Sequence, residues 1–143
     1  MIKLEQSIFK TASLIENILN PIFIDIYDIT FNEFLILYKV YHDEDSSVAD
    51  IQSDIKYKMD SASKKTKKLR DLGYIVKERR TDDERKVCIK LTDSGKDIVL
   101  TVLECQRNIY SHAEFTKEDS DTLFHLLHKY REAFKQHTHA FKK

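Results

Sequence analysis

The sequence is poor in residues that punctuate a chain: its 143 positions hold two glycines (Gly73, Gly95), one proline (Pro21) and two cysteines (Cys88, Cys105). Glycine-rich phosphate cradles need several glycines close together, so that backbone N–H groups can converge on the ligand. A P-loop and a dinucleotide fingerprint are therefore excluded. Neither HExxH nor GxSxG occurs, and no nucleophile–base pair or metal triad stands out. The expectation is a protein that is not an enzyme and carries no cofactor. Two cysteines make no disulfide framework, which points to a reducing compartment. No apolar stretch approaches the ~20 residues of a membrane span. Acids and polar residues interrupt the N-terminus MIKLEQSIFK, where a signal peptide would need an apolar run. A soluble, cytoplasmic protein with no membrane partner is expected.

Net charge is also lacking: 24 Lys and Arg balance 24 Asp and Glu. The charges are unevenly spread. Residues 56–90 hold 13 basic and six acidic side chains, a local charge of +7, which leaves −7 for the rest. Such a bipolar chain can concentrate positive potential on one surface. A solvated charged face is the plainer reading of an isolated basic run.

Leu4, Ile8, Ala12, Ile15, Leu19 and Ile22 recur at helical spacing, so residues 3–20 read as a helix that Pro21 kinks or ends. Thr30-Phe31-Asn32-Glu33 has the form of a capping box and opens a helix over about 31–42. That helix buries some combination of Phe31, Phe34, Leu35, Leu37, Tyr38 and Tyr41. Ser47, with Asp50, opens a short helix, and Lys56 to Met59 form a turn. A further helix starts near Asp60 or Ser61 and reaches about Leu72. Its inner face is thin: Ala62, Thr66 and Leu69. Ser61, Ser63, Lys64, Lys65, Lys67, Lys68 and Arg70 lie outside, and Gly73 stands where a helix C′ glycine belongs. Short hydroxyls near the start with lysines beyond suit a helix lying in a DNA major groove. Val87, Ile89 and Leu91 then alternate with Lys86, Cys88 and Lys90, and residues 74–79 read as the antiparallel partner. Residues 80–85 are the charged tip. Helices over about 92–113, capped by Thr92, and about 117–137 follow, and the tail after them is expected to fray.

The order helix, turn, basic helix, hairpin is that of a winged helix. At LRDLGYI (69–75), RRTDDER (79–85), LTDSGK (91–96) and TFNEFLIL (30–37) the sequence resembles the MarR family of bacterial regulators, and within it the SarA-type subgroup. The resemblance implies a mainly α fold with one small β-hairpin (α+β): a single domain over 1–143. Residues 30–92 would form the winged-helix DNA-binding region, and 1–29 and 93–143 the dimerisation helices. It implies a homodimer that binds double-stranded DNA and regulates transcription, with virulence or stress genes as the targets. The DNA-binding set would be Ser61, Ser63, Lys64, Lys67 and Lys68 on the helix and Arg79, Arg80, Asp83, Glu84, Arg85 and Lys86 at the wing. Arg85, held by Asp83, would reach the minor groove. Thr66 stands where relatives often have a larger apolar residue, which implies looser packing of the reading helix.

Several alternatives remain open on the sequence. Arg85 could instead make a surface salt bridge with Asp83 or Glu84. Cys88 beside Lys86 and Lys90 could be a redox switch or an incidental wing cysteine, and Cys105 reads as a small packed residue. Phe31, Phe34, Tyr38 and Tyr41 could line a pocket for a small aromatic effector or simply fill the core. His125 and His128 have a spacing that could serve a metal, although no metal site is expected. The whole could also be a helical interaction module that regulates another transcription factor without touching DNA.

Overall fold

The structure, a computed structural model, describes residues 2–55, 62–80, 82–83 and 85–141. The chain starts with α1 (Ile2–Leu14), passes through a π-helical stretch (Ile15–Leu19) and continues as α2 (Asn20–Tyr27). Pro21 therefore does not end the helix. It sits in the first turn of α2, directly after a wide turn that has already left the i→i−4 ladder, so its missing N–H breaks little. The helix stops at Asp28, which takes φ 59° and donates its N–H to the Ile24 carbonyl at 3.0 Å.

Thr30 caps α3 (Phe31–His42) reciprocally: Thr30 Oγ1 accepts the Glu33 N–H at 3.2 Å, and Glu33 Oε1 accepts the Thr30 N–H at 2.8 Å. Phe34 and Leu37 are buried, as expected. So are Glu33, Ile36 and Val40, whereas Tyr38 is exposed. The buried stripe is wider than the aromatic pattern suggested because α3 packs against two elements introduced below, the basic helix and the second strand. Phe23, Phe31 and Phe34 fill the space among themselves, with ring centroids 5.0–6.1 Å apart.

Ser47 and Asp50 close a second reciprocal cap on α4 (Val48–Ile55). The basic helix, α5 (Ala62–Asp71), buries Ala62, Thr66 and Leu69. Thr66 is fully buried and donates its hydroxyl to the Ala62 carbonyl at 2.5 Å, so the smaller side chain leaves no unsatisfied group. α5 ends in a Schellman motif: Tyr74 N–H bonds to the Leu69 carbonyl (3.0 Å), Gly73 N–H to that of Arg70 (2.9 Å), and Gly73 has φ 81°.

Strands β1 (Ile75–Arg79) and β2 (Val87–Leu91) pair antiparallel, from Ile75 opposite Leu91 to Arg79 opposite Val87. Strict alternation fails on β2. Cys88 and Ile89 are both buried and Val87 is exposed. Successive residues point to opposite faces of a strand, so β2 is covered on both faces here, and its free edge is covered too: the loop before α4 runs along it, and the Ile89 N–H bonds to the carbonyl of fully buried Ser46 at 2.9 Å. Cys88 therefore does not share an exposed face with Lys86 and Lys90, and the redox alternative loses the accessible thiol it required.

Thr92 caps α6 (Asp93–His112), its Oγ1 accepting the Gly95 N–H at 3.1 Å while donating to the Gly73 carbonyl at 2.6 Å. Gly95 lies so close to the Tyr74 carbonyl that no Cβ fits there. The chain divides into two compact units, residues 1–101 and 102–143, with the boundary inside α6. In the second unit the chain turns after α6 at Glu114 (φ 54°), and α7 (Lys117–His137) starts from a Thr116–Asp119 cap. α7 buries none of its residues, Cys105 is exposed rather than packed, and in the tail Thr138–Phe141 form a 3-10 turn where fraying was expected, residues 142–143 lying outside the described residues.

Candidate nucleic-acid interface

Two basic features occur in the first unit. The first is the outer face of α5. With Ala62, Thr66 and Leu69 turned inward, Ser63, Lys64, Lys67, Lys68 and Arg70 are exposed and Lys65 is half-buried. The helix start is held from outside: Gln52 Oε1 on α4 accepts the Ala62 N–H at 3.2 Å, joining the two helices of the helix-turn-helix. Ser61 and the turn expected over Lys56 to Met59 lie outside the described residues. The lysines are not equivalent. Lys67 pairs with Asp71 at 2.9 Å, both well exposed, a pairing that contributes little in solvent. Lys68 instead reaches across to Glu33 at 2.9 Å, and that carboxylate is buried. Burial alone would push the Glu33 carboxyl up. The Thr30 N–H, the Lys68 hydrogen bond and the Lys68 charge outweigh it and hold the group below its ordinary pKa.

The second feature is the wing tip. Arg80 N–H closes the hairpin on the Lys86 carbonyl at 2.8 Å, and the Lys86 N–H bonds to the Asp83 carbonyl at 3.0 Å. Within this tip the expected clamp on Arg85 is corrected. Asp83 Oδ1 accepts the backbone N–H of Arg85 at 3.0 Å, not its guanidinium. An aspartate reaches the N–H two residues on with little strain, the geometry of an Asx turn. The guanidinium fork with an aspartate forms elsewhere, between Arg80 and Asp82, at 3.0 and 3.1 Å. The Asp82 carboxyl is held low, against desolvation, first by its own backbone N–H and then by the Arg80 hydrogen bond and charge. Arg85 and Lys86 are exposed, and among the described residues no carboxylate pairs with the Arg85 guanidinium. Arg79 is exposed on β1, and Glu84 lies outside the described residues.

Three supports went unread in the sequence. Asn20 Oδ1 accepts the Phe31 N–H at 2.7 Å, and Tyr74 Oη donates to the Tyr27 carbonyl at 2.8 Å, so the corner between α2 and α3 is bonded from both ends. Glu33 was visible as a cap but not as the partner of Lys68. These pairs are 11, 47 and 35 residues apart, so local pattern holds no signal for them.

A family model described as transcriptional regulator SarA/Rot matches residues 19–102, more than half of the chain and all of the winged region. The chain belongs to the SarA/Rot family. The family's description and that of a structural neighbour of 25% identity are of transcription regulators, not of enzymes. This SarA/Rot protein is 33% identical over 78 residues to the HTH-type transcriptional regulator Hpr of Bacillus cereus (strain B4264), covering 54% of this chain and 42% of that protein. The chain thus spans less than half the length of the curated relatives it matches. Among solved structures it is similar to a MarR/EmrR family regulator from Acinetobacter sp. ADP1, with TM-score 0.72, 25% identity, and 94% and 96% of the two chains covered. It also shares its fold with a MarR mutant from E. coli complexed with operator DNA, with TM-score 0.68, 20% identity, and 90% and 93% covered. The mainly helical winged-helix fold expected from the sequence is therefore the fold observed. Among the described residues no helix is long and apolar enough to cross a membrane.

Proposed function

We propose that this SarA/Rot protein is a cytoplasmic, homodimeric regulator that binds specific double-stranded DNA and controls promoters of virulence or stress genes. The observation that carries the reading is α5. It presents Ser63, Lys64, Lys67 and Arg70 outward over a thin inner face, with an exposed Arg85 and Lys86 on the adjoining hairpin. Small hydroxyls suit base edges and lysines suit phosphates. Arg85 suits a narrow, negative minor groove. Ser61, Lys68, Arg79, Arg80, Asp83 and Glu84 complete the proposed interface, with Arg80 and Asp83 shaping the wing tip. The E. coli neighbour, crystallised with its operator, supports the same use of the fold. In the dimer, two reading helices related by a two-fold axis would enter successive major grooves roughly 34 Å apart.

The test is selection from a pool of random duplexes across a salt series. Enrichment of a two-fold motif, with affinity falling steeply as salt rises, is the expected result. Absence of binding even at low salt would move the protein to the reading of a helical partner for another regulator.

A further inference from the structure

Glu33 is more deeply committed than a capping residue needs to be. A capping glutamate ordinarily serves a helix start near solvent, yet Glu33 is only 3% exposed. Its Oε1 accepts both the Thr30 N–H at 2.8 Å and the Lys68 ammonium at 2.9 Å. One oxygen thus joins the first turn of α3 to the outer half of α5. α5 is otherwise held by the Gln52 hydrogen bond at its start, by the Schellman turn at its end and by a small apolar face. Its buried face is Ala62, Thr66 and Leu69, and the Thr66 hydroxyl is spent within the helix. An ion pair with one partner out of water is directional and stronger than one at the open surface.

We propose that Glu33 is a positioning residue for operator recognition, fixing the rotation of α5 through Lys68, and that Lys68 is a tether rather than a phosphate contact. The proposal rests on the DNA-binding reading above and revises one member of its contact set. Lys64 and Lys67 then carry the phosphate contacts of α5, and Ser63 meets the bases only while the tether holds.

The experiment compares wild type, Glu33→Gln, Lys68→Met, the double variant and Lys68→Arg. Each is tested on a duplex enriched from the random pool and on the unselected pool. Amide exchange of α5 is followed in the free protein, and a thermal melt checks the fold. Gln keeps an acceptor for the Thr30 N–H and removes only the charge. Affinity of Glu33→Gln for the enriched duplex should fall about tenfold, a size usual for coupled neighbours, with affinity for the unselected pool undiminished. Exchange in α5 should quicken, the double variant should be no worse than either single one, and Lys68→Arg should stay near wild type. A purely structural role would lower both affinities together and leave their ratio unchanged, which would overturn the proposal. So would additive losses, or a Lys68→Met salt slope shallower by about one, the mark of a lost phosphate contact. A wild type that enriches no duplex overturns the regulator reading instead. The exchange comparison needs no DNA, so unchanged α5 exchange in Glu33→Gln overturns the tether independently.

Discussion

Between Ile29 and Ile89 a set of large aliphatic side chains turns inward: Ile29, Ile36, Leu37, Ile51, Leu69, Ile75 and Ile89 are at most 1% exposed. In the terminal helices they do not. Phe9 is 73% exposed and Phe124 69%, and neither α1 nor α7 buries a single residue. A helix of 13 residues such as α1 is marginal in water by itself, since most helical stability in proteins comes from packing an apolar face. The winged region closes its own core. The terminal helices carry a core's worth of side chains without a core, and a second copy of the chain is the partner we propose for them.

This contrast can be broken by substitution. The largest effect is expected from Phe9→Glu combined with Phe124→Glu, which should abolish the dimer while the winged region keeps its near-native exchange protection. Loss of the whole fold would show that the two regions are not separable in this way. Leu37→Ala should instead lower the unfolding free energy by about 2–5 kcal/mol, because Leu37 is fully buried. Its effect should not depend on protein concentration, whereas the melting temperature of the wild type should rise with concentration if the dimer contributes. Denaturant melts at two concentrations separate the cases.

Within the winged region the two tip arginines offer a finer comparison. Arg85→Ala should weaken binding to the enriched duplex by about 1–3 kcal/mol and leave stability unchanged. Arg80→Ala removes a guanidinium already forked onto Asp82 and should cost less in affinity. Equal losses in a binding titration would mean that the tip contributes charge and no geometry. The smallest effect concerns acid. Because the Glu33 pKa is depressed in the folded state, its ionised form stabilises the fold. That contribution is complete above the ordinary value of 4.5 and is lost as pH falls through the lower folded-state value. Glu33→Gln should therefore flatten the acid limb of stability against pH, and an unchanged limb would deny the Lys68 pairing any part in it.

Much of this fold was legible in the sequence because its determinants are local. The capping pairs Thr30–Glu33, Ser47–Asp50 and Thr116–Asp119, the Gly73 terminator and the thin Ala62–Thr66–Leu69 face all depend on residues within one or two turns, and each occurs where the pattern placed it. What escaped was tertiary. Apolar alternation misassigned Cys88 because β2 is buried on both faces, at Cys88 and at Ile89, and the Arg85 clamp was misassigned because a side chain can reach backbone as readily as a partner side chain. Pro21 read as a stop or a kink, since nothing in its neighbours announces a π turn before it. For the site, residue types and order were readable. The division of labour among the lysines was not, since it depends on a carboxylate 35 residues away.

In the proposed dimer, two copies joined by their terminal helices place two reading heads on one DNA. Light scattering of the protein on its enriched duplex measures this directly. A complex of two chains per duplex is expected, falling to one or none for the Phe9→Glu, Phe124→Glu variant. A single wild-type chain per duplex, bound with full specificity, would contradict it.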